Sequence, residues 1–327
     1  MGYSPSMRLQ PTFSQLESIE SFRRRIGLLS IPCHPPLVEA FRELDPLLGP
    51  RVASPAASPS GVDEGRRLTS CLCNQVQLQS EDFRNWLLAM RQNPDHLHRK
   101  HWEWAFIAQA LAERGKLRAG VEGMGFAVGQ EPLTSLFCAR GCRILATDAQ
   151  ADLASGAGWV ATGQHADSLA ALNKLGLVDE ATLKELASFR VVDMRDIPPD
   201  LSPVDFLWSA CAFEHLGNLE EGIRFVLRSF DLLKPGGVAV HTTEYNMDSE
   251  WTTIGCGSDS IFRRGDLERI AQEIRGKGGK VRLDFTEGTL PGDLHVDRPP
   301  FRGDVHLRLE LFGYRCTSFG LILEKPS

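Results

Sequence analysis

The sequence contains no apolar run of about 20 residues, which is the length that a membrane-spanning helix requires. Its first residues also lack the apolar core of a secretory signal. Basic residues are not in excess: 36 Lys and Arg stand against 42 Asp and Glu, and the net charge is −6. An acidic chain has no overall electrostatic attraction to nucleic acid. These absences predict a cytoplasmic protein that acts neither on a membrane nor on nucleic acid.

A zinc-finger pattern is absent as well. The eight cysteines include two close pairs, Cys71 with Cys73 and Cys138 with Cys142, but no second pair or histidine follows at zinc-finger spacing. Oxygen ligands for magnesium are available around Glu244, yet their spacing is not distinctive. We therefore predict no metal site.

The chain divides into three segments by composition. Residues 1–65 are rich in Ser, Pro, Ala and Gly, a mixture that cannot bury a core, which predicts a poorly ordered segment. Residues 66–117 carry apolar residues at helical spacing and predict a helical extension or lid. Residues 118–327 alternate apolar strands with amphipathic helices, which is typical of a doubly wound, mostly parallel sheet. We predict an α/β domain there with seven strands, the last of them antiparallel.

The periodicity also predicts the approximate bounds of the elements. One helix is expected to begin at Ser80. Further helices are expected to span about 98–114, 132–140, 166–175, 220–233 and 264–275. Strands are expected at about 120–124, 143–148, 189–192, 205–209, 238–243, 280–285 and 315–324. No predicted helix separates the last two strands, so we expect them to form an antiparallel pair at the edge of the sheet.

A glycine-rich loop follows the first predicted strand of the α/β domain. Gly125, Ala127 and Gly129 are small enough for the backbone to approach a ligand closely, and the next helix offers unpaired N–H groups to an anion. Such a loop can also be a plain structural turn. The second strand ends in Asp148, about 20 residues further on, where nucleoside-binding folds carry a ribose-binding carboxylate. Asp148 can equally cap the next helix.

Two later motifs help to separate the candidate cofactors. An apolar strand ends in Asp193 and Met194. A later helix ends at Lys234-Pro-Gly-Gly237, because proline cannot continue a helix and glycine permits the chain to reverse. The glycine-rich loop and Asp148 alone also fit an NAD-linked oxidoreductase, but this turn and the antiparallel last strand disfavour that alternative.

This ordered set of motifs resembles the class I S-adenosylmethionine (SAM) methyltransferases, specifically their small-molecule branch, over residues 118–325. The resemblance implies a Rossmann-like methyltransferase fold and SAM as the cofactor. It also implies methyl transfer to a hydroxyl or amino group of a small polar molecule, such as a sugar or a natural-product intermediate. The residues that it places at the cofactor are Gly123, Gly125, Ala127, Gly129, Asp148, Ala149, Asp193, Met194, Arg195, Ala210 and Cys211.

Two positions depart from the pattern of this family. Ala127 replaces the usual middle glycine, and Gly123 stands where the family usually has an acid that engages the methionyl ammonium of SAM. Glu122 is displaced by one residue and is expected to point to the other face of the strand. Arg99 and Glu103 share a helix face upstream and are a candidate replacement, with Arg99 for the carboxylate of SAM and Glu103 for its ammonium. A surface salt bridge is the alternative interpretation. The altered loop also leaves open a methyltransferase-like binding module without activity.

Three residues after the fourth strand and along the fifth are candidates for the chemistry. His215 is the first choice for a base because imidazole titrates near neutral pH, although a histidine there can also pack or cap a helix. Glu244 ends the fifth strand, where it can hydrogen-bond a polar acceptor. His241 lies within that apolar strand, and a core histidine is the alternative there. The Asn/Asp-Pro-Pro-Tyr/Phe motif of nucleic-acid amino methyltransferases is replaced by Ser-Ala-Cys-Ala-Phe at 209–213, which favours a small acceptor.

Overall fold

The computed structural model describes residues 67–150 and 165–327. The segment predicted to be poorly ordered, residues 1–65, lies outside these ranges, and the division of the chain into three segments stays a prediction. Within the described ranges, no helix combines the length and the apolar character that crossing a membrane requires.

Among the described residues, three helices precede the parallel strands of the main sheet: α1 (Gln75–Leu78), α2 (Glu81–Ala89) and α3 (Arg99–Glu113). The predicted start at Ser80 is confirmed, because the Ser80 hydroxyl accepts a hydrogen bond from the Phe83 N–H and so satisfies a donor that the first helical turn leaves unpaired. Trp102 and Phe106 lie on the buried face of α3, in the same apolar cluster as residues of the sheet. The apolar periodicity of this segment therefore predicts its packing correctly.

Residues 67–150 and 165–327 contain eleven strands, nine of which form the main sheet. In chain order they are β1 (Ser70–Leu72), β2 (Leu97–His98), β3 (Glu122–Gly125), β4 (Arg143–Asp148), β5 (Ala187–Val191), β6 (Val204–Ala210), β7 (Leu233–Asn246), β8 (Leu283–Asp284), β9 (Val305–His306), β10 (Arg308–Leu311) and β11 (Tyr314–Glu324). The sheet has the order β5-β4-β3-β6-β7-β11-β1-β8, with β10 also beside β11. Strands β3 to β7 are mutually parallel, and β11 is antiparallel to β7. Strands β2 and β9 form a separate parallel pair.

The predicted fold class is confirmed, since the sheet is mostly parallel and its last strand in the chain is antiparallel. The sheet has nine strands rather than seven, because β1 comes from the segment before the predicted domain and β10 forms a hairpin with β11. The expected pairing of the last two predicted strands is wrong. Strand β1 lies between β8 and β11, and the bridge of Lys280 with Glu324 is the described contact that links the two segments directly.

Helices cover both faces of the sheet. The remaining α-helices in the described part of the chain are α4 (Leu133–Ala139), α5 (Glu180–Leu186), α6 (Leu219–Asp231), α7 (Arg264–Gly276) and α8 (Pro291–Leu294). Alternate residues of β6 point to opposite faces: Phe206 and Trp208 join a cluster with α3 and α4, whereas Leu207 joins one with α6 and α7. Two apolar layers therefore enclose the sheet, which is the doubly wound arrangement.

One predicted helix is wrong in type and extent. The helical residues within 166–175 are Ala170–Asn173, which form a short 3₁₀ turn, and helix α5 follows where none is predicted. Asp179 begins α5 by accepting a hydrogen bond from the Thr182 N–H, a capping pattern that the sequence does contain.

Candidate functional site

A pocket of about 570 Å³ opens at the carboxyl ends of the parallel strands β3, β4, β5 and β6. Ligands of doubly wound sheets bind at this edge, in the crevice outside the strand ends. Helix α3 contributes Lys100 and Trp104 to the wall. Ten of the residues predicted from the sequence line the pocket: Ala127, Gly129, Asp148, Ala149, Asp193, Met194, Arg195, Ala210, Cys211 and His215. The five predicted residues that do not line it are Arg99, Gly123, Gly125, His241 and Glu244.

Two loops reach the pocket through left-handed backbone turns. Ala127 and Gly129 in the loop after β3 have φ values of +48° and +51°, and Cys211 in the loop after β6 has a φ of +46°. Glycine adopts this conformation readily, whereas alanine and cysteine seldom do. Outliers of this kind cluster at ligand sites. Their position beside one pocket favours a binding role for both loops.

Gly123 and Gly125 lie below the pocket and serve the packing of β3. An added Cβ at Gly123 would lie 2.3 Å from the Phe206 ring, and one at Gly125 would lie 2.4 Å from the Trp208 ring. Both rings belong to the neighbouring strand β6 and are fully buried. These two glycines therefore let large aromatic side chains cross under the loop, and a side chain at position 123 has no room to reach the pocket.

Asp148 joins three segments of the pocket wall. Its Oδ2 accepts hydrogen bonds from the Gly129 and Ala166 N–H groups, each at 3.0 Å, and its Oδ1 accepts one from the Ala149 N–H at 2.7 Å. The residue is 3% exposed. Burial raises the pKa of this carboxyl despite the three donors. Asp148 thus fixes the glycine-rich loop to the end of β4 while it faces the pocket.

The loop after β5 brings a charged pair and an apolar side chain to the far end of the pocket. The Arg195 guanidinium donates to both carboxylate oxygens of Asp193, with Nη2 at 2.6 Å from Oδ2. Hydrogen bonding from Arg195 lowers the pKa of Asp193. Met194 is 6% exposed and belongs to the apolar cluster below the loop. The end of the pocket is therefore polar at its rim and apolar at its base, a combination that suits a purine or a similar flat heterocycle.

Three residues that sequence reasoning missed line the opposite end of the pocket: Lys100, Trp104 and Glu131. The Glu131 carboxylate accepts the indole N–H of Trp104 at 3.1 Å and that of Trp208 at 3.2 Å. Burial raises the pKa of Glu131 to about 8, because the nearby Lys100 and the two indoles only partly offset the desolvation. The available signal was an acid directly after a glycine-rich loop, two residues beyond Gly129.

The predicted pair of Arg99 and Glu103 lies behind this wall, in a buried ionic cluster. Arg99 contacts the Glu244 carboxylate directly and lies 3.8 Å from Glu103, whose other oxygen is 2.9 Å from the ammonium of Lys100. Burial disfavours the ionised Glu103, but Lys100 and Arg99 outweigh it and lower its pKa. The salt-bridge interpretation thus describes Arg99, although the bridge is internal rather than on the surface. Glu244 points into this cluster and not into the pocket.

The side chains of Cys211, Glu214 and Glu244 form the one group within the described ranges that is close enough to hold a metal ion, with ligand atoms within 4.8 Å of one another. Arg99 already occupies the Glu244 carboxylate. The Cys211 thiol donates to Glu103 at 3.1 Å, and burial raises its pKa well above the ordinary value, so the thiolate that a metal requires is disfavoured. We assign no metal to this group.

His215 lies in the pocket wall beside an acidic partner. Its Nδ1 is 2.8 Å from the Ser258 carbonyl oxygen and 3.2 Å from Asp259 Oδ1. A carbonyl oxygen can only accept, so the neutral ring carries its proton on Nδ1 and its lone pair on Nε2. Burial lowers the pKa of His215, but the hydrogen bond to Asp259 and the charge of Glu214 outweigh it, and the pKa is raised overall. This arrangement provides an oriented base near neutral pH.

His241 lies in the core instead. It is fully buried, with Nδ1 at 2.8 Å from the Ser209 hydroxyl and Nε2 at 3.2 Å from the Ser229 hydroxyl. Its ring meets the edges of Phe213 and Phe225. Burial lowers the pKa of His241 to about 3, so the ring is neutral at all moderate pH. The core-histidine alternative describes this position.

Comparisons with known proteins place the chain beside several solved structures. The [4+2]-cyclase SpnF is 15% identical, with 80% of this chain and 99% of that chain covered and a TM-score of 0.43. The magnesium protoporphyrin IX methyltransferase of Synechocystis, with bound S-adenosylhomocysteine (SAH), is 11% identical, with coverage of 69% and 83% and a TM-score of 0.42. A SAM-dependent methyltransferase of Clostridium acetobutylicum is 12% identical, with coverage of 71% and 94% and a TM-score of 0.40.

No family model and no curated protein matches the chain. The chain is thus similar in structure to SAM-dependent methyltransferases and to a cyclase, at low identity. Similarity at this level carries no argument about activity, because one fold can host many chemistries.

Proposed function

We propose that the pocket binds SAM and that the protein transfers its methyl group to a hydroxyl or amino group of a small polar molecule. The observation that carries this proposal is the convergence of the loops after β3, β4, β5 and β6 on one pocket, each with the residue type that its sequence motif predicts. The loop after β3 is rich in glycine, β4 ends in a carboxylate, and the loop after β5 carries an acid beside an apolar residue. Together these features match an adenosine that bears a charged substituent.

The chemistry of the pocket wall fits this cofactor. Asp148 retains acceptor capacity for ribose hydroxyls, because its Oδ1 accepts one recorded hydrogen bond and a carboxylate oxygen can accept two. Asp193 and Met194 offer a polar rim and an apolar base for the adenine. Lys100 and Glu131 at the other end offer an ammonium and an ionisable carboxyl group, which complement the carboxylate and the ammonium of the amino-acid end of SAM. The pocket volume of about 570 Å³ also falls within the usual range for small-molecule and cofactor sites.

The residues of the chain then provide orientation and proton removal. SAM, when bound, supplies an electrophilic methyl group on a sulfonium. His215 stands in the same wall, and Asp259 and the Ser258 carbonyl hold its Nδ1 proton. Nε2 is therefore the nitrogen that takes the proton of an acceptor hydroxyl or ammonium. A neutral acceptor aligned with the methyl group needs no further group on the protein, because positioning supplies most of the catalysis.

The proposed acceptor is a small molecule rather than a nucleic acid or a membrane lipid. The net charge of −6 gives no overall attraction to phosphates. A sugar or a natural-product intermediate would present the hydroxyl or amino group that His215 serves. We propose a cytoplasmic location on the same sequence grounds.

Calorimetric titration of the full chain with SAM, SAH and NAD tests the cofactor. We expect SAM and SAH to bind and NAD not to bind. Binding of NAD alone would favour the oxidoreductase alternative and reject the proposal.

A second experiment tests turnover. The protein is incubated with methyl-labelled SAM and fractions of a metabolite extract, and His215→Ala serves as the matched variant. Label should move to a small molecule with the wild type and much less with the variant. Tight SAM binding without transfer to any fraction would favour the inactive binding module.

A further inference from the structure

Glu131 differs from the other two acids that line the pocket. Asp148 accepts three backbone N–H groups, and Asp193 is paired with Arg195. Glu131 accepts two neutral indole N–H groups, and among residues 67–150 and 165–327 no cationic group lies within ion-pairing distance of it. An acid in a pocket wall with only neutral donors is electrostatically incomplete, because a buried carboxylate is stable when a cation meets it.

Lys100 lines the pocket together with Glu131. It lines the same wall and lowers the pKa of Glu131 through space, while its ammonium pairs at 2.9 Å with Glu103, which does not line the pocket. An ammonium and an ionisable carboxyl group therefore line the same wall without forming an ion pair with each other. A zwitterion, with an ammonium beside a carboxylate, is the ligand chemistry that such a wall complements.

We propose that Glu131 accepts the ammonium of the amino-acid end of SAM or SAH, with Lys100 facing the carboxylate. This inference rests on the proposed function, because it presupposes that one of these nucleosides occupies the pocket. It adds recognition of the ammonium to the proposed function and assigns this role to Glu131, which follows the glycine-rich loop.

The strand below the loop cannot supply this acid. Any side chain at Gly123 would collide with the Phe206 ring, whose nearest atom lies 2.3 Å from the Cβ position. Glu122 is exposed and its carboxylate meets the Lys234 ammonium at 2.6 Å, outside the pocket. Glu131 is the acid that the fold carries to the pocket directly after the loop.

The raised pKa of Glu131 gives the inference a measurable consequence. With a pKa of about 8, the carboxyl is mostly protonated at pH 7. A bound ammonium favours the ionised form, so the proton leaves Glu131 for the buffer when the ligand binds. Affinity for SAH should therefore rise from pH 6 to about pH 8, and binding at pH 7 should release up to about 0.9 proton.

Calorimetry of three proteins tests this directly: the wild type, Glu131→Gln, and Glu122→Gln as a matched control at an exposed acid. Each is titrated with SAH and with 5′-methylthioadenosine, which has the same nucleoside but no amino-acid end. We expect Glu131→Gln to weaken SAH binding by about tenfold or more, since hydrogen bonds between charged groups are the stronger ones. Its affinity for methylthioadenosine should stay within twofold of wild type, and Glu122→Gln should resemble wild type with both ligands.

Repeating the SAH titration at pH 7 in buffers of different ionisation enthalpy measures the released protons. The wild type should release protons and Glu131→Gln should not. Wild-type SAH affinity in Glu131→Gln, or equal proton release, would overturn the inference while leaving the proposed function standing. If the wild type binds no SAH, the proposed function fails first.

Trp104→Phe provides a second variant if Glu131→Gln does not fold. It removes one indole donor and leaves the carboxylate in place, so the pKa of Glu131 should rise further. The rise in SAH affinity with pH should then move to higher pH. An unmoved profile would contradict the assignment.

Discussion

Replacing Asp148 with alanine should weaken cofactor binding and lower stability, and the two effects can be measured separately. The carboxylate accepts three backbone N–H groups, from Gly129 at 3.0 Å, Ala149 at 2.7 Å and Ala166 at 3.0 Å. It also faces the pocket. The substitution therefore removes a bridge between three segments and, at the same time, the proposed contact with the ribose.

The stability effect can be bounded from these contacts. Each hydrogen bond to a charged acceptor contributes about 1.5–3 kcal/mol. Water from the pocket can replace part of the loss, and the buried carboxylate carried a desolvation cost of its own, as its raised pKa indicates. We therefore expect a net loss near that of a single bond, about 1.5–3 kcal/mol. The unfolding entropy of a 327-residue chain is roughly 0.7 kcal/mol/K, so this loss corresponds to a melting temperature lower by roughly 2–4 °C.

The binding effect should exceed what a helix cap would cause. A carboxylate that accepts a ribose hydroxyl contributes enough that its loss should raise the SAH dissociation constant by at least about tenfold. Calorimetry and ligand-free melting curves are compared for wild type, Asp148→Ala and Asp148→Asn, which keeps one acceptor oxygen. Asp167→Ala, at an exposed acid of the adjacent segment, is the control. A lowered melting temperature with unchanged SAH affinity would refute the ribose assignment and leave Asp148 a purely structural bridge.

Three further predictions follow from the described contacts. Asp259→Asn should lower the pKa of His215, because Asp259 helps to raise it, and the acidic limb of the kcat/KM profile should move to lower pH; an unmoved limb would exclude His215 as the base. Gly123→Ala should destabilise the protein by about 1–3 kcal/mol through overpacking against Phe206, seen as a lower denaturation midpoint, and an unchanged midpoint would contradict the close packing. A truncation beginning at Arg66 should unfold cooperatively, because residues 1–65 lack a core-forming composition, and a non-cooperative melt would show that they dock on the sheet.

The strands that carry the pocket could be predicted because most of them are apolar runs that end in a recognisable motif. Strand β4 was predicted at Arg143–Asp148 and has those bounds, since an apolar run ends there in an acid. Strand β1 could not be predicted, because Ser70–Leu72 is too short to show a period. Its place in the sheet comes from long-range hydrogen bonds to β11 and β8, and nothing in the local sequence encodes those partners.

The loops of the candidate site could be predicted from the sequence. The orientation of the neighbouring helix α3 could not. Loop motifs keep their residues within a short stretch, so Gly129 and Asp148 identify one site from sequence alone. Helix α3 meets that site only through the fold. Its residues Arg99 and Glu103 share a helix face as expected. The sequence could not show that this face turns inward, towards Glu244 on a strand far along the chain.

The orientation of α3 about its axis decides which of two neighbouring cations lines the pocket. Arg99 and Lys100 are neighbours in the chain, but successive helical residues point about 100° apart. Arg99 therefore meets the buried Glu244, while Lys100 lines the pocket. Glu103 pairs with both cations and holds them in these directions. Periodicity gives the spacing of such charges but not the phase of the helix against the sheet. That phase depends on the packing of Trp102 and Phe106, and it decides that the lysine lines the pocket.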